Sequence, residues 1–234
     1  SAGKMVMLKS VLSAMPNHSM SCFKLPTSLC KRIQSALTRF WWDPNQDQQK
    51  MAWISWSKMT NSKRDGGLGF RDIQSFNDAL LGKLSWRILE NPDCLLARIL
   101  QGKYCKYSPL LEVQASQNCS HGWRSILIGR DLVNKHLGWA IGNGETVQIW
   151  SDAWLSTTKA ETPMGPATEQ TNEAFVKSLF QANSCEWDIG KVETLFPEIA
   201  HKILSIKPSK EKGPDKRIWL KHDSGKYNTK SGYL

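Results

Sequence analysis

Short apolar stripes at helical spacing, each stopped by a proline or a glycine, most constrain what this chain can fold into. Apolar residues recur in this way from Met5 to Met15, and Pro16 ends the pattern, which predicts a first helix over residues 3–15. Further stripes of the same kind follow along the chain. The sequence therefore predicts an α+β, mostly helical fold, in which a helical bundle is followed by helix pairs and short β-hairpins.

The second predicted helix has two different faces. Pro26 suits a first helical position, and one apolar stripe follows it, formed by Leu29, Ile33, Ala36, Leu37 and Phe40. At 100° per residue, Lys31, Arg32 and Arg39 fall on the opposite side of this helix. That cationic face suits either ordinary solvated surface or contact with a polyanion.

The next segments combine a predicted strand, a turn and a helix pair. Residues 51–59 alternate aromatic and small side chains, which favours a strand, and Asn61 to Gly69 reads as a turn. Asp72 is suited to cap a helix that continues through Ile88. Pro92 then predicts the start of a second helix and thus an αα-hairpin.

The second half of the chain predicts one more long helix, two hairpins and two short helices. A helix from Trp123 to Val133 is expected to end at Gly138. Asn143-Gly144 predicts a hairpin over residues 139–150, and Ser224-Gly225 predicts another over residues 217–229. The short helices are predicted over residues 175–180 and 189–206, after a linker at 156–172 that lacks periodicity.

The charge of the chain favours polyanionic partners. Its net charge is +10, with a pI near 9.4. Residues 1–80 hold 11 Lys and Arg against 5 Asp and Glu, whereas residues 161–234 hold 11 against 10. Because phosphate neutralisation supplies most non-specific affinity for nucleic acid, this amino-terminal excess indicates where such a partner would bind.

The sequence argues against metal, redox and membrane roles. No Cys-x-x-Cys pair and no His-x-x-x-His spacing occurs, so neither a zinc site nor a redox dithiol is predicted. No apolar run is long enough to span a bilayer, and no secretion signal is visible. We expect an intracellular protein whose six cysteines are reduced and mostly buried.

Catalytic motifs are also missing. No Asp-Asp dipeptide occurs, so the paired aspartates of a polymerase are absent, and no nucleophilic triad is supported. Ribonuclease H chemistry needs a carboxylate cluster, but Asp72, Asp93 and Asp131 stand where helix caps are expected. We therefore predict no catalytic residue, no metal ligand and no cofactor in this chain.

Two motifs allow a binding interpretation and a structural one. Gly66 to Gly69 could be a phosphate loop, but the run lacks the Gly-Lys-Ser/Thr ending, which favours a packing turn. The 11 tryptophans could stack on bases or fill a core. Their regular spacing among aliphatic residues favours the core.

The order of motifs along nearly the whole chain resembles a known family. The matching segments are 1–4, 8–12, 15–16, 20–26, Phe40-Trp41-Trp42, 66–72, 77–83, 123–126, Gly142-Asn143-Gly144, 150–154 and 230–233. They are similar to the region downstream of the polymerase palm in plant non-LTR (LINE-type) retroelement reverse transcriptases. In that family the palm with its catalytic aspartates precedes this region, and a zinc-binding segment, sometimes with ribonuclease H, follows it.

The resemblance implies a division of the chain. Residues 1–45 would be a helical, thumb-like segment and residues 46–155 a connection domain. The linker at 156–172 would lead to residues 173–234, which hold helices and the start of the zinc-binding region, before its Cys and His ligands. Both ends of the chain are expected to be cut from a longer protein.

The resemblance also implies a function. A thumb would grip a template–primer duplex by its backbone, without reading sequence. The expected phosphate contacts are Lys4, Lys9, Lys24, Lys31, Arg32 and Arg39. The implied partners are RNA or an RNA–DNA hybrid, bound weakly, and the rest of the parent polymerase, which would use Mg²⁺ and act in the nucleus.

Three hypotheses remain open from the sequence. The chain is a non-catalytic fragment of a LINE-type retrotransposon reverse transcriptase, an RNA-directed DNA polymerase. Alternatively, it is a freestanding basic module that binds RNA or DNA. Thirdly, it is a degenerate element product, without selected function, that folds only in part.

Overall fold

A computed structural model describes residues 2–43, 48, 50–165, 174–209 and 211–233. The chain forms two compact units, an amino-terminal unit of Ser1–Leu132 with Gly232–Leu234 and a carboxyl-terminal unit of Val133–Ser231. Helices predominate, and the described residues form a single two-stranded antiparallel sheet. The predicted mostly helical α+β class is thereby confirmed.

Among the described residues, six α-helices, one π-helical turn and most of a seventh α-helix build the amino-terminal unit. They are α1 (Ala2–Met7), the π-turn (Leu8–Leu12), α2 (Asn17–Cys22), α3 (Thr27–Trp42), α4 (Trp56–Thr60), α5 (Ile73–Glu90), α6 (Leu95–Tyr104) and α7 (His121–Asn134). The first predicted helix thus leaves α-helical geometry after Met7. The Ser13 hydroxyl donates to the Leu8 carbonyl at 2.6 Å and helps close the π-turn.

Helix α5 is the centre of this unit. Asp72 caps it as predicted, because its carboxylate accepts the Ser75 N–H at 2.8 Å. Nine residues distributed around the helix are buried, which are Ile73, Phe76, Asn77, Ala79, Leu81, Gly82, Ser85, Trp86 and Ile88. A helix buried on several faces must be packed on several sides, and α2, α3, α6 and α7 surround it.

A buried amide clamps the segment before α3 onto α5. Asn77 has no exposed surface, and its Nδ2 donates to the carbonyls of Met20 at 2.7 Å and Phe23 at 2.9 Å. Its Oδ1 accepts the Leu25 N–H at 2.8 Å. The amide therefore satisfies backbone groups at the end of α2 and in the irregular segment that follows it.

Helices α5 and α7 approach so closely that only glycine fits at the contact. A Cβ on Gly129 would lie 2.3 Å from the carbonyl of Leu81. Close by, the Ser85 hydroxyl donates to the Ile126 carbonyl at 2.7 Å, which joins the two helices by a buried hydrogen bond.

The predicted strand over residues 51–59 is wrong. This segment instead leads into α4, where the Ser55 hydroxyl accepts the Lys58 N–H as an N-cap. The tertiary core explains the difference, since Met59 is buried with Leu8 and Phe70. One short helical turn places both Met59 and Trp56 against that cluster. An edge strand here has no partner strand among the described residues.

The glycine run after α4 is a packing turn, as predicted. Gly66 and Gly69 have φ of 76° and 65°, and a Cβ on Gly67 would meet the Asn61 carbonyl oxygen at 2.1 Å. Backbone N–H groups of the run donate to the chain itself, such as that of Gly67 to the Ser62 carbonyl at 2.9 Å. These N–H groups therefore form the hydrogen bonds that close the turn.

The carboxyl-terminal unit contains a small sheet and short helices. Its elements are β1 (Leu137–Ala140), a 3₁₀ turn (Val176–Leu179), α8 (Ile189–Leu195), α9 (Ala200–Ser205), β2 (Lys216–Trp219) and most of α10 (Thr229–Tyr233). Strands β1 and β2 pair antiparallel, with Leu137 opposite Trp219 and Ala140 opposite Lys216. The sheet therefore joins segments about eighty residues apart in the sequence.

Both predicted hairpins are wrong, because β1 and β2 pair with each other and not with a neighbouring strand. Gly138, predicted to end a helix, lies in β1 opposite Ile218. Residues 226–229 form no strand, and the turn before them is closed instead by the Trp219 N–H, which donates to the Gly225 carbonyl at 2.7 Å. The predicted helix over 189–206 is divided into α8 and α9.

The loop with the Asn-Gly signal encloses a carboxylate. Asp215 Oδ1 accepts the N–H groups of Gly142 at 2.6 Å and Gly144 at 2.9 Å. Its Oδ2 accepts the Thr146 N–H at 2.9 Å and the Thr146 hydroxyl at 3.0 Å. Burial opposes ionisation of this carboxyl, but the four hydrogen bonds outweigh it, so the pKa of Asp215 lies below its usual value of 3.8.

A tryptophan-rich core fills the carboxyl-terminal unit. Trp154 and Trp187 stack at 6.0 Å between ring centroids, and each indole N–H finds a backbone carbonyl. Other buried members of this core are Val147, Ile149, Val176, Leu179, Phe180, Val192, Phe196 and Ile203. The predicted core role of tryptophan is confirmed for Trp154 and Trp187.

The division of the chain at residues 45, 155 and 172 stays a prediction. Of the predicted linker, residues 156–165 are described and residues 166–172 lie outside the described part. Within the described part, the Leu155 N–H donates to the Glu161 carbonyl at 3.2 Å, and the Glu161 carboxylate pairs with Lys202 on α9. This stretch is therefore bonded to the carboxyl-terminal unit.

The close contact between α5 and α7 predicts a glycine requirement at one position and not at another. Gly129→Ala should lower the free energy of unfolding by about 2 kcal/mol or more, because a helix must move to admit the methyl group. Gly122→Ala in the same helix is the control, since its nearest neighbour would be a Phe23 ring carbon at an ordinary 3.7 Å. Urea denaturation followed by circular dichroism measures both, and equal midpoints would contradict the contact.

The enclosed carboxylate predicts a pH-dependent contribution to stability. At pH 7, Asp215→Asn should lower the free energy of unfolding by about 1–3 kcal/mol, because an amide nitrogen cannot accept the Thr146 donors. Since folding depresses this pKa, the contribution is present above about pH 4 and is lost as the pH falls through the folded value. The difference from the unchanged protein should thus shrink in acid. The exposed Asp223→Asn variant is the control and should show neither effect.

Candidate nucleic-acid interface

Helix α3 is fixed on the amino-terminal unit by one face. Cys30 and Leu37 on this face are buried, seven residues apart, in a cluster with Met20 and Ile73. Beside them, Gln34 Nε2 donates to the second carboxylate oxygen of Asp72 at 3.0 Å. The residue that caps α5 therefore also holds α3 in its rotation about the helix axis. The predicted apolar stripe is shifted, because Leu29 and Ala36 are exposed.

The solvent-exposed side of α3 presents three cations, with Arg32 and Arg39 opposite the buried face and Lys31 on its flank. Lys31, Arg32 and Arg39 are all exposed, and none forms an ion pair with a described carboxylate. Arg32 and Arg39 are seven residues apart, which places them about 20° apart around the axis and roughly 10 Å apart along it. These side chains keep their charge available for an anionic ligand.

Lys24 already has an anionic partner. Its ammonium forms an ion pair with Asp78 on α5, and both side chains are about one-third exposed or less. Its backbone N–H donates to the Ser125 hydroxyl at 2.8 Å. A phosphate would therefore have to compete with the carboxylate of Asp78 for this lysine.

Lys4 and Lys9 are half-buried beside aromatic rings. Lys4 donates to the carbonyl of Asp43 and lies 5.7 Å from the Phe40 ring centroid. Lys9 lies 5.8 Å from the centroid of Phe70. Burial, and secondly repulsion from Lys63, lower the pKa of Lys9 below its usual 10.5. Lys9 and Lys63 therefore lie close enough to repel each other, although they are 54 residues apart in the sequence.

The surplus of positive charge belongs to the amino-terminal unit. Residues 1–132 contain 18 Lys and Arg against 9 Asp and Glu, and residues 133–234 contain 13 against 12. The exposed cations of α3 therefore lie in the unit whose whole field favours an anion. The six predicted contacts divide into three freely exposed cations and three that are already engaged, which the sequence pattern could not distinguish.

The carboxylates expected to cap helices have varied roles. Asp72 is a cap, whereas Asp131 pairs with the buried Arg130 at 2.7 Å, and Cys94 instead of Asp93 occupies the position before α6. Across the described part of the chain, no group of three or more His, Cys, Asp or Glu side chains is placed to hold a metal ion.

The six cysteines are all unpaired thiols, of which two are buried, three are half-buried and Cys22 is exposed. Burial was thus overestimated from the sequence. Among the helices that the structure describes, none is both long and apolar enough to cross a bilayer.

Two plant proteins are similar to this chain. The "Uncharacterized mitochondrial protein AtMg00310" of Arabidopsis thaliana is 43% identical over 154 residues, which cover 65% of this chain and 98% of that protein. The "Putative ribonuclease H protein At1g65750" of the same plant is 31% identical over 245 residues, which cover 99% of this chain. The chain spans only 38% of the length of this second relative. No family model and no solved structure matches the chain.

Proposed function

We propose that this chain, which belongs to the same family as the Arabidopsis mitochondrial protein and covers it almost completely, is a nucleic-acid-binding segment derived from a plant retroelement. More narrowly, we propose the region downstream of the palm in a LINE-type reverse transcriptase. The motif order in the sequence supports this assignment. The second relative, with a ribonuclease H name and a much longer chain, fits an origin in such an element.

One observation carries the binding proposal. Three exposed cations, Lys31, Arg32 and Arg39, stand on the outer face of α3 without carboxylate partners among the described residues. Their helix is held rigidly by Gln34 and its buried face. Arg32 and Arg39, aligned along the helix, and Lys31 beside them can neutralise phosphates along a duplex and release the counterions bound there.

The proposed contact positions a duplex without reading its sequence. Arginine and lysine side chains that bind phosphate carry no information about base identity. We expect an RNA–DNA hybrid or RNA to bind weakly, with a dissociation constant of roughly 10⁻⁴ to 10⁻⁶ M at physiological salt. Lys4, Lys9 and Lys24 would contribute less, because each already has a partner in the fold.

We propose no catalysis for this segment. Any polymerase activity would belong to a palm with paired aspartates and Mg²⁺, and any ribonuclease H activity to other parts of a longer protein. The rest of that polymerase would be the protein partner. An intracellular site is proposed, with the nucleus expected for a parent element, although one relative is named a mitochondrial protein.

Two alternatives differ from this proposal in what they predict. A freestanding nucleic-acid-binding module would be encoded by an isolated reading frame with its own promoter, whereas a retroelement segment would have a palm encoded upstream. A degenerate product would lack a cooperative thermal transition. The packed cores of both units favour a protein that melts cooperatively.

Binding of an RNA–DNA hybrid at several salt concentrations tests the proposed face. The triple variant Lys31→Ala, Arg32→Ala, Arg39→Ala should reduce the slope of log affinity against log salt by about 2–3 units, since each lost phosphate contact removes up to about 0.9. Its affinity at low salt should fall roughly 10- to 100-fold. Fluorescence anisotropy of a labelled hybrid measures both quantities.

The matched control removes the same charge from the carboxyl-terminal unit. Lys221, Lys226 and Lys230 are exposed, and their replacement by Ala also lowers the net charge by three. This variant should keep most of the slope and affinity. If both triple variants lose binding equally, net charge and not the α3 face is responsible, and an unaltered slope in the α3 variant would refute the proposed contacts.

A further inference from the structure

One tryptophan departs from the core arrangement of all the others. Trp53 is 80% exposed, whereas the other ten tryptophans are buried or half-buried. Its neighbours Met51 and Ile54 are exposed by 75% and 41%. Tryptophan is among the side chains most strongly removed from water by folding, so a nearly bare indole on the surface needs a physical reason.

The segment that carries Trp53 is fastened at both ends. On one side, the Lys50 N–H donates to the Asp43 carboxylate at 2.8 Å, directly after the end of α3. On the other side, Ser55 caps α4, and the Trp56 indole donates to the Arg71 carbonyl at 3.3 Å. The indole of Trp53 is therefore displayed by a tethered segment.

Cations surround this indole along the chain. Lys50 and Lys58 are exposed on either side of it, and Lys63 and Arg64 are exposed in the turn after α4. Of the acidic groups that the structure describes near this segment in the sequence, the Asp43 carboxylate accepts the Lys50 backbone N–H, and Asp65 accepts the Ser62 hydroxyl at 2.6 Å. A chain of three residues spans at most about 10 Å, so the Lys50 ammonium can reach a phosphate next to a group placed on Trp53.

This segment is also tied to the carboxyl-terminal end of α3. The Asp43 N–H donates to the Arg39 carbonyl at 2.8 Å, and the Lys4 ammonium donates to the Asp43 carbonyl. Asp43 thus fixes the backbone of Lys50 at the end of the helix that bears Arg39. The exposed indole and the duplex-binding face proposed above are adjacent parts of one unit.

We propose that Trp53 is a stacking platform for an unpaired base of single-stranded nucleic acid. An indole offers a flat apolar face that any base can stack on, and flanking lysines bind the backbone phosphates without regard to sequence. A duplex hides the faces of its bases, so it cannot use this platform. The inference rests on the proposed nucleic-acid function and adds to it a site for single strands.

The charge around Trp53 favours this ligand over a protein partner. Apolar protein-docking surfaces are depleted in lysine at their centre. Here four exposed cations, Lys50, Lys58, Lys63 and Arg64, lie within eleven residues of Trp53 in the sequence. Cations close to an exposed aromatic side chain are typical of sites that bind single strands.

Binding of a 12-nucleotide oligo(dA) and of an RNA–DNA hybrid of equal length, over a range of salt, tests the platform. Trp53→Ala should weaken oligo(dA) binding by roughly 5- to 100-fold, the range measured for loss of one base–aromatic stack. The salt slope should not change, because no charge is removed. Affinity for the hybrid should stay within about twofold, and Trp53→Phe should retain part of the single-strand affinity.

The controls separate base stacking from a general loss of apolar surface and from unfolding. Leu95 on α6 is 72% exposed, and Leu95→Ala should leave both ligands unaffected. Circular dichroism should show an intact fold for Trp53→Ala, since the side chain is mostly in solvent. Unchanged oligo(dA) binding, an equal loss for both ligands, or a Trp53→Phe variant as weak as Trp53→Ala would overturn the inference.

Failure of the broader proposal gives a different result. If the unchanged protein binds neither ligand, the nucleic-acid function and the platform both fail. If it binds the hybrid through α3 while Trp53→Ala leaves oligo(dA) binding unaltered, only the platform fails.

Discussion

The burial of α5 on several sides is the constraint on which the amino-terminal unit depends. A helix packed by neighbours on more than one face must bring its polar groups into the core, and each of them then needs a partner. Asn77 and Ser85 meet this need by bonding to the backbones of the segment before α3 and of α7. The close approach at Gly129 belongs to the same arrangement, since it brings α7 within reach of Ser85.

The candidate interface follows from that packing. Helix α3 packs against α5 through Gln34, Cys30 and Leu37, and it also contacts α1 and the π-turn, so only its outer side faces water. The cations on that surface cost little to keep there, whereas burial would have shifted or paired them, as happened to Lys9 and Lys24. The candidate interface is thus the side of α3 that does not pack in the core.

In the carboxyl-terminal unit, a carboxylate performs the organising role. The Asp215 carboxylate accepts the N–H groups of the loop at residues 142–146, which pairs with no strand in the described part of the chain. Since Asp215 directly precedes β2, these bonds hold the loop at the start of that strand. The sequence marked this loop strongly, through Asn143-Gly144, but indicated the wrong structure. The residue types Asn and Gly predict that the chain turns there. The carboxylate that accepts the N–H groups of this turn lies about seventy residues further along the chain, and the turn residues do not identify it.

The sequence by itself determined the helical class, the cap at Asp72, the glycine turn and the side of α3 on which its cations lie, because each follows from contacts within a few residues. Only the tertiary structure decided which cations are free, which strands pair, and that Trp53 stays outside when ten other tryptophans do not. Those outcomes depend on partners distant in the chain, such as Asp78 for Lys24 and Lys216–Trp219 for β1. The periodicity of a sequence predicts local geometry. It does not show which distant residue will pair with a charge, bond to a strand edge or cover an aromatic ring.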